Sequence, residues 1–400
     1  MRILWVKLGA LWPLNTGGRI RTFNILQELA RQHRVVLLTT HGPDEDPQES
    51  ARRLSFCEEV VSLPLAVPKH GSLAFLRGLG ASWLSPLPVD VHKWRRKALR
   101  RTVQELLRSR GVDLCVADFP NAAGNVPLGG KVPVVFFDHN VEYLVWQRLR
   151  RTEPRLHRRL LLELEWRKMR RFERRTCAGA QLTLAVSEPD RALLEETAPG
   201  ARVRAIPTGV DTAYFSPRPE PEQPGALVFT GSMDWYPNED GILHFAEHTL
   251  PLIRQQVPET QVTVVGRDPS PRLRTAAARA GLRLTGTVDD VRPYVAESAV
   301  YVVPLRVGGG TRLKIFEALA MAKPVVSTTV GAEGLPLVPD QHFIQADDPG
   351  AFAGAVVSLL QDPARRAALG RAGRDLVEQQ YAWPQIARQF EAACREVVST

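Results

Sequence analysis

Residues 306–328 read RVGGGTRLKIFEALAMAKPVVST and follow the apolar run AVYVVPL at 299–305. A β-branched run, a glycine loop, a stretch with helical apolar spacing and a second β-rich run make one strand–helix–strand unit. Such a crossover joins parallel strands, and near-continuous apolar strands mean a sheet covered on both faces. The same alternation extends outward in both directions. ALVFTGS, QVTVVGR and LRLTGTV precede the unit, with the helix-like GILHFAEHTLPLIRQQV between the first two. RILWVKL, RVVLLTT, VVSLPL, VDLCVAD, VPVVFFDHN and LTLAVS punctuate the first half. The chain is therefore read as α/β, built from doubly wound parallel sheets.

The alternation breaks at 206–225, IPTGVDTAYFSPRPEPEQPG, where Pro, Gly and charge crowd together as in linkers. Four hundred residues suffice for two cores. The expected organisation is an N-terminal domain at 1–205, a linker at 206–224, a second domain at 225–378 and a terminal amphipathic helix at 379–400.

Composition narrows the function. No apolar run reaches bilayer length. The N-terminus begins like a signal peptide, but Lys7 interrupts it, and a first buried strand followed by a glycine loop fits better. The expectation is a cytoplasmic protein. Cys57, Cys115, Cys177 and Cys394 form no C-x-x-C pair, which argues against a zinc site or a disulfide framework. A formal charge of +9 points to anionic partners. Two segments, 92–110 and 146–175, concentrate basic residues on helical spacing. They read either as solvated basic faces or as surfaces that dock on anionic membrane lipid. Nucleic acid is disfavoured, since neither segment sits in a nucleic-acid-binding motif and aromatics are sparse around them.

The glycine junction at 308–310 carries the chemistry. Helix N-termini expose unpaired N–H groups and partial positive charge, and glycines admit a ligand to the backbone. Thr311 would cap the helix, placing Arg312 and Lys314 in its first turn, where cations oppose the macrodipole. A diphosphate would satisfy both cations and the free N–H groups. The alternative is an ordinary glycine loop with surface cations. The spacing is neither a Walker loop nor a dinucleotide fingerprint. Glu317 reads either as an intrahelical partner of Lys314 or as a carboxylate for a vicinal diol such as ribose. A second junction, NTGGRIRTFN, opens the first helix with Gly17, Gly18 and Arg19. FFDHNVEY sets Asp138, His139, Asn140 and Glu142 at a strand end, where a histidine beside acids is a functional candidate.

These residues resemble the family 4 glycosyltransferases, retaining enzymes of the GT-B fold. The resemblance rests most specifically on 304–335, on FTGSMDWYPNEDGILHF at 229–245, on FFDHNVEY and on IPTGVDTAYFSP. Within the family the chain is similar to exopolysaccharide and exosortase-associated sugar transferases. The resemblance implies two Rossmann-like domains facing across a cleft and a last helix that packs back on the N-terminal domain. It also implies a nucleoside-diphosphate sugar donor, of UDP or GDP type, held without metal or other cofactor. The acceptor would be a saccharide or a lipid-linked hydroxyl. It further implies that Gly17 and Gly18 approach the distal phosphate, that His139 contacts the donor sugar and that Arg312 and Lys314 hold the diphosphate. Glu317 would bind ribose. Gly231, Asn238, Arg306, Gly309, Gly310 and Thr311 would complete the donor site.

Two departures stand out. Gly309 occupies the place of the first acid of the family's E-x7-E motif. The loop GSMDWYPNED carries no basic residue where relatives place an Arg and a Lys, which shifts charge onto Arg312, Lys314 and Arg306. With no carboxylate nucleophile indicated, same-face attack is favoured over double displacement. The competing readings are a GT-B-fold nucleotide-sugar epimerase and a catalytically weak nucleotide-binding scaffold.

Overall fold

The structure, a computed structural model, describes residues 1–14, 16–66, 72–109, 111–307 and 313–399, with the side chains at 73–77, 109 and 152 left aside. The chain divides into two compact units, Met1–Pro207 with Ile386–Thr400, and Thr208–Gln385.

The first unit is built on seven strands: β1 (Arg2–Lys7), β2 (Arg34–His41), β3 (Glu59–Pro64), β4 (Leu114–Asp118), β5 (Val134–Phe137), β6 (Leu182–Ala185) and β7 (Val203–Ala205). All pair in parallel, in the order β3-β2-β1-β4-β5-β6-β7. Ile3, Leu4, Trp5 and Val6 are wholly buried, which explains the unbroken apolar run of β1. The helix Trp383–Val398 belongs largely to this unit, and its Phe390 stacks on Trp5 at 5.3 Å. The strand order reverses between β1 and β4. Register pairs Lys7 with Asp118 and Asp118 with Phe137, so the carboxyl ends of three strands meet at this switch point.

The second unit carries β8 (Ala226–Thr230), β9 (Gln261–Val265), β10 (Leu282–Leu284), β11 (Val300–Val303), β12 (Val325–Ser327) and β13 (Ile344–Gln345). They are also parallel, in the order β10-β9-β8-β11-β12-β13. Its switch point lies between β8 and β11. The GT-B class expected from sequence, two Rossmann-like parallel sheets, is the architecture of these units.

Residues 206–224 contain no helix or extended strand, yet from Thr208 onward they belong to the second unit and are held firmly by it. Val210 bridges Ala382, and Arg374 donates to the carbonyls of Phe215 at 2.9 Å and Thr212 at 3.2 Å. The Arg292 guanidinium lies 3.6 Å over the Tyr214 ring. Proline and glycine thus mark irregular backbone here, while arginine side chains supply its order.

The basic segments differ. In 92–110 the helix Lys97–Ser109 turns Leu99, Val103 and Leu106 into the core. The 146–175 segment lies on two helices, Glu142–Thr152 and Leu156–Gly179. They separate at Glu153, whose backbone is extended before Pro154, as proline requires of its predecessor. The four cysteines are free and buried. Among the described residues, no helix is long and apolar enough to cross a membrane.

Candidate functional site

Each unit carries one glycine junction at its switch point. In the first, the helix Gly17–Ala30 begins at Thr16 without a side-chain cap. A Cβ at Gly18 would lie 2.7 Å from Phe119 Cζ, so only glycine lets the helix start rest on that ring. Phe119 stacks flat on His139, with centroids 3.9 Å apart and planes 11° from parallel, and Phe137 covers His139 at 4.2 Å. Phe119 holds this position with φ 76° and ψ 159°, a region that side chains rarely enter and that costs about 1–3 kcal/mol. Such strain persists only where surrounding contacts impose it.

The chemistry beneath the junction is charged and dry. Asp118, wholly buried, accepts from Trp5 Nε1 at 2.9 Å and Thr22 Oγ1 at 2.6 Å, and lies 2.8 Å from His139 Nε2. Arg21 Nη1 lies 3.4 Å from His139 Nδ1, and Lys7 Nζ sits 3.8 Å over the Phe119 ring. Burial drives His139 down to about 4 despite the pull of Asp118, so the ring is neutral near pH 7. One neutral tautomer suits both neighbours, with Nε2–H toward Asp118 and Nδ1 accepting from Arg21. Burial also lowers Arg21 to about 10, which leaves it charged, and lowers Lys7 against the attraction of Asp118. Burial alone would raise Asp118, but Lys7, His139 and Thr22 together hold it below the usual carboxylate range. Lys7 and Arg21 thus gather with Asp118 and His139 beneath the start of this helix.

The rest of FFDHNVEY turns away from this role. Asp138 is buried, and its carboxyl is raised well above the usual range by burial and then by Glu173, Glu142 and Asp190. Glu173 accepts from the backbone of Glu142 at 2.7 Å and Tyr143 at 3.0 Å, which ties down the start of the next helix. Asn140 is exposed and donates to Glu142 at 3.3 Å.

In the second unit the junction follows β8. Gly231 leaves space for two side chains: a Cβ there would lie 2.6 Å from Lys314 Nζ and 2.7 Å from Asn238 Nδ2. Lys314 donates to Asn238 Oδ1 at 2.9 Å and its ammonium lies 4.0 Å over Phe229. Asn238 Nδ2 donates to the Ser232 carbonyl at 2.8 Å, and Ser232 Oγ accepts from Arg267 Nε at 2.7 Å. A polar chain therefore runs Lys314–Asn238–Ser232–Arg267. One turn beyond Lys314, burial raises the Glu317 carboxyl to about 7, with Lys314 pulling it down. Glu317 thus sits near its midpoint at neutral pH.

The structure brings Gly231, Asn238, Lys314 and Glu317 together, and Gly17, Gly18 and His139 likewise. Arg306 is half-exposed and engaged by Asp240 through contacts of 2.8 and 3.1 Å. Gly309, Gly310, Thr311 and Arg312 lie outside the described residues. Sequence reading overlooks Lys7, Arg21, Asp118 and Phe119, which strand register and the packing of the first helix assemble. It also overlooks Arg267, legible in VVGRD only once β9 is known to lie beside β8. That residue brings a basic side chain to a loop that has none of its own.

The family described as Glycosyltransferase Family 4 matches residues 16–214, and that described as Glycosyl transferases group 1 matches 224–362. A phosphatidyl-myo-inositol mannosyltransferase from Mycobacterium tuberculosis is 29% identical over 205 residues, covering 48% of this chain and 53% of that protein. A GDP-mannose-dependent monoacylated alpha-(1-6)-phosphatidylinositol monomannoside mannosyltransferase from Corynebacterium glutamicum is 24% identical over 203 residues, covering 44% and 52%. The chain spans about half the length of these curated relatives. A sucrose-phosphate synthase from Thermosynechococcus elongatus superposes with a TM-score of 0.71 at 17% identity, covering 100% of this chain and 99% of that one. WaaG, a glycosyltransferase involved in lipopolysaccharide biosynthesis, superposes at 0.63 and 17% identity, covering 97% and 99%. These likenesses establish the GT-B fold.

Proposed function

The chain belongs to the family 4 glycosyltransferases, and from that premise we propose that it moves a sugar from a nucleoside diphosphate to a lipid-borne or saccharide hydroxyl with retention of configuration. The observation that carries this reading is the polar chain Lys314–Asn238–Ser232–Arg267 beside the titratable Glu317. Two cations on one rim suit a diphosphate, and a carboxylate one helical turn away suits the ribose diol. The GDP-mannose-dependent relatives favour a GDP-sugar, with mannose first to be tried. Their phosphatidylinositol-type acceptors favour a lipid-borne hydroxyl.

In the proposed step the acceptor oxygen bonds to the anomeric carbon on the face that the diphosphate leaves. The bond from that carbon to the phosphate oxygen breaks, and the departing phosphate takes the acceptor's proton. Lys314, with Arg267 and the flanking Arg312, offsets the charge that builds on the diphosphate. No metal is needed for that task. The buried Arg21 and the uncapped N–H groups at the start of the helix Gly17–Ala30 favour an anionic substrate group there.

A screen of nucleotide sugars for donor hydrolysis, read by mass spectrometry, tests the reading. One donor should release its nucleoside diphosphate, and proton NMR of the acceptor product should show the donor's anomeric configuration. Conversion of the sugar into an epimer without release would mean an epimerase instead. Inverted product would remove the same-face step.

A further inference from the structure

The basic segment at 146–175 holds twelve Lys or Arg against four Asp or Glu, a surplus of eight in a chain whose total is +9. The structure shows how that charge is arranged. On the helix Leu156–Gly179, Leu156, Leu160 and Leu164 are 71%, 63% and 40% exposed, spaced four apart on one face. The same face continues through Arg167, Arg171, Arg174 and Arg175, all exposed. The solvent stripe is thus leucine over its first half and arginine over its second. The neighbouring helix Glu142–Thr152 adds Val145 and Leu149, 43% and 50% exposed, with Arg148 and Arg151 also exposed.

A merely solvated helix has no use for three exposed leucines on one stripe, and contiguous apolar patches rimmed by charge mark contact surfaces. The helix Lys97–Ser109 supplies the contrast inside the same unit. It is equally basic, but Leu99, Val103 and Leu106 are in the core, Leu107 is partly buried against it, and none of its leucines is exposed. Charge alone is common to both helices, and the exposed apolar stripe is not.

We infer that the exposed face of the helix Leu156–Gly179 docks on an anionic lipid bilayer. The leucine half enters the boundary between headgroups and acyl chains, and the arginine half lies on the anionic headgroups. At about 1.5 Å per residue the leucines span roughly 12 Å of helix, enough to seat one apolar edge in the interface without crossing it. The arginines add attraction that weakens with salt. Helix Lys97–Ser109 takes no part. The inference deepens the lipid-acceptor reading, yet its test needs no catalysis, so each can fail alone.

The test is flotation of the full chain with vesicles of phosphatidylcholine, with or without one third phosphatidylglycerol. Wild-type protein should float with the anionic vesicles, and much less in about 0.5 M salt. The triple variants Leu156→Glu/Leu160→Glu/Leu164→Glu and Arg171→Glu/Arg174→Glu/Arg175→Glu should each lose about tenfold or more in vesicle affinity. Arg100→Glu/Arg101→Glu should float as wild type. A Leu160→Cys variant carrying an environment-sensitive fluorophore gives a readout that leaves the rest of the stripe intact, and its emission should shift to the blue on anionic vesicles. Wild-type protein that stays unbound, a leucine variant that floats unchanged, or an unshifted fluorophore overturns the inference. So does a wild-type dimer that the leucine variant dissolves while flotation is unaffected, since the stripe would then join two copies.

Discussion

At the first junction the cations lie beneath the glycines. Lys7 and Arg21 are buried against Asp118, and His139 is clamped between two phenylalanines. At the second the cation lies beside the glycine, where Lys314 is half-buried, bonded to Asn238 and set over Phe229. The first arrangement is rigid, and its charges cannot rearrange without losing burial partners. The second keeps a half-buried ammonium and a carboxylate near its midpoint, both able to respond to a ligand. The difference suggests a fixed floor in one unit and an adjustable grip in the other.

The largest effect should come from breaking the floor. Asp118→Ala removes the carboxylate that most attracts the buried Lys7 and Arg21 and should cost about 3–5 kcal/mol of stability, read by denaturant unfolding. The sign with pH follows from the depressed carboxyl. Its stabilisation is present above the unfolded value of 3.8 and is lost as pH falls through the lower folded value. Lys314→Ala should slow donor turnover by about a hundredfold while the melting temperature barely moves. Equal losses of stability in the two variants would erase the contrast.

Gly18→Ala should destabilise by about 1–3 kcal/mol, because Phe119 cannot yield while it stacks on His139. Glu317→Gln probes the grip through pH. A ribose ligand needs the ionised acid, so wild-type donor affinity should rise as pH climbs through about 7, and the variant should lack that rise. The smallest effect belongs to Arg306→Ala. Its exposed pair with Asp240 is worth about 1 kcal/mol or less, and the melting curve should hardly change.

Much of the fold is legible in the chain because strands covered on both faces write themselves as apolar runs, as in RILWVK and VYVV. β7 and β13 escape that reading. Val203–Ala205 carries Arg204 at its centre and Ile344–Gln345 is two residues long, so pairing with a neighbour makes them strands rather than their own composition. The site divides the same way. Gly18, His139, Lys314 and Glu317 stand in glycine junctions or at a strand end, where sequence announces them. Asp118 reaches His139 only because β4 pairs with β5, and Phe119 needs a positive φ that nothing about phenylalanine suggests.

The central claim is that the Lys314–Glu317 rim of the second unit takes a nucleoside diphosphate. Isothermal titration of GDP and UDP into wild-type protein and Lys314→Ala tests it most directly. Micromolar binding of one nucleotide, weakened about tenfold or more in the variant, is the predicted result. No binding of either nucleotide, or equal binding by both proteins, would contradict it.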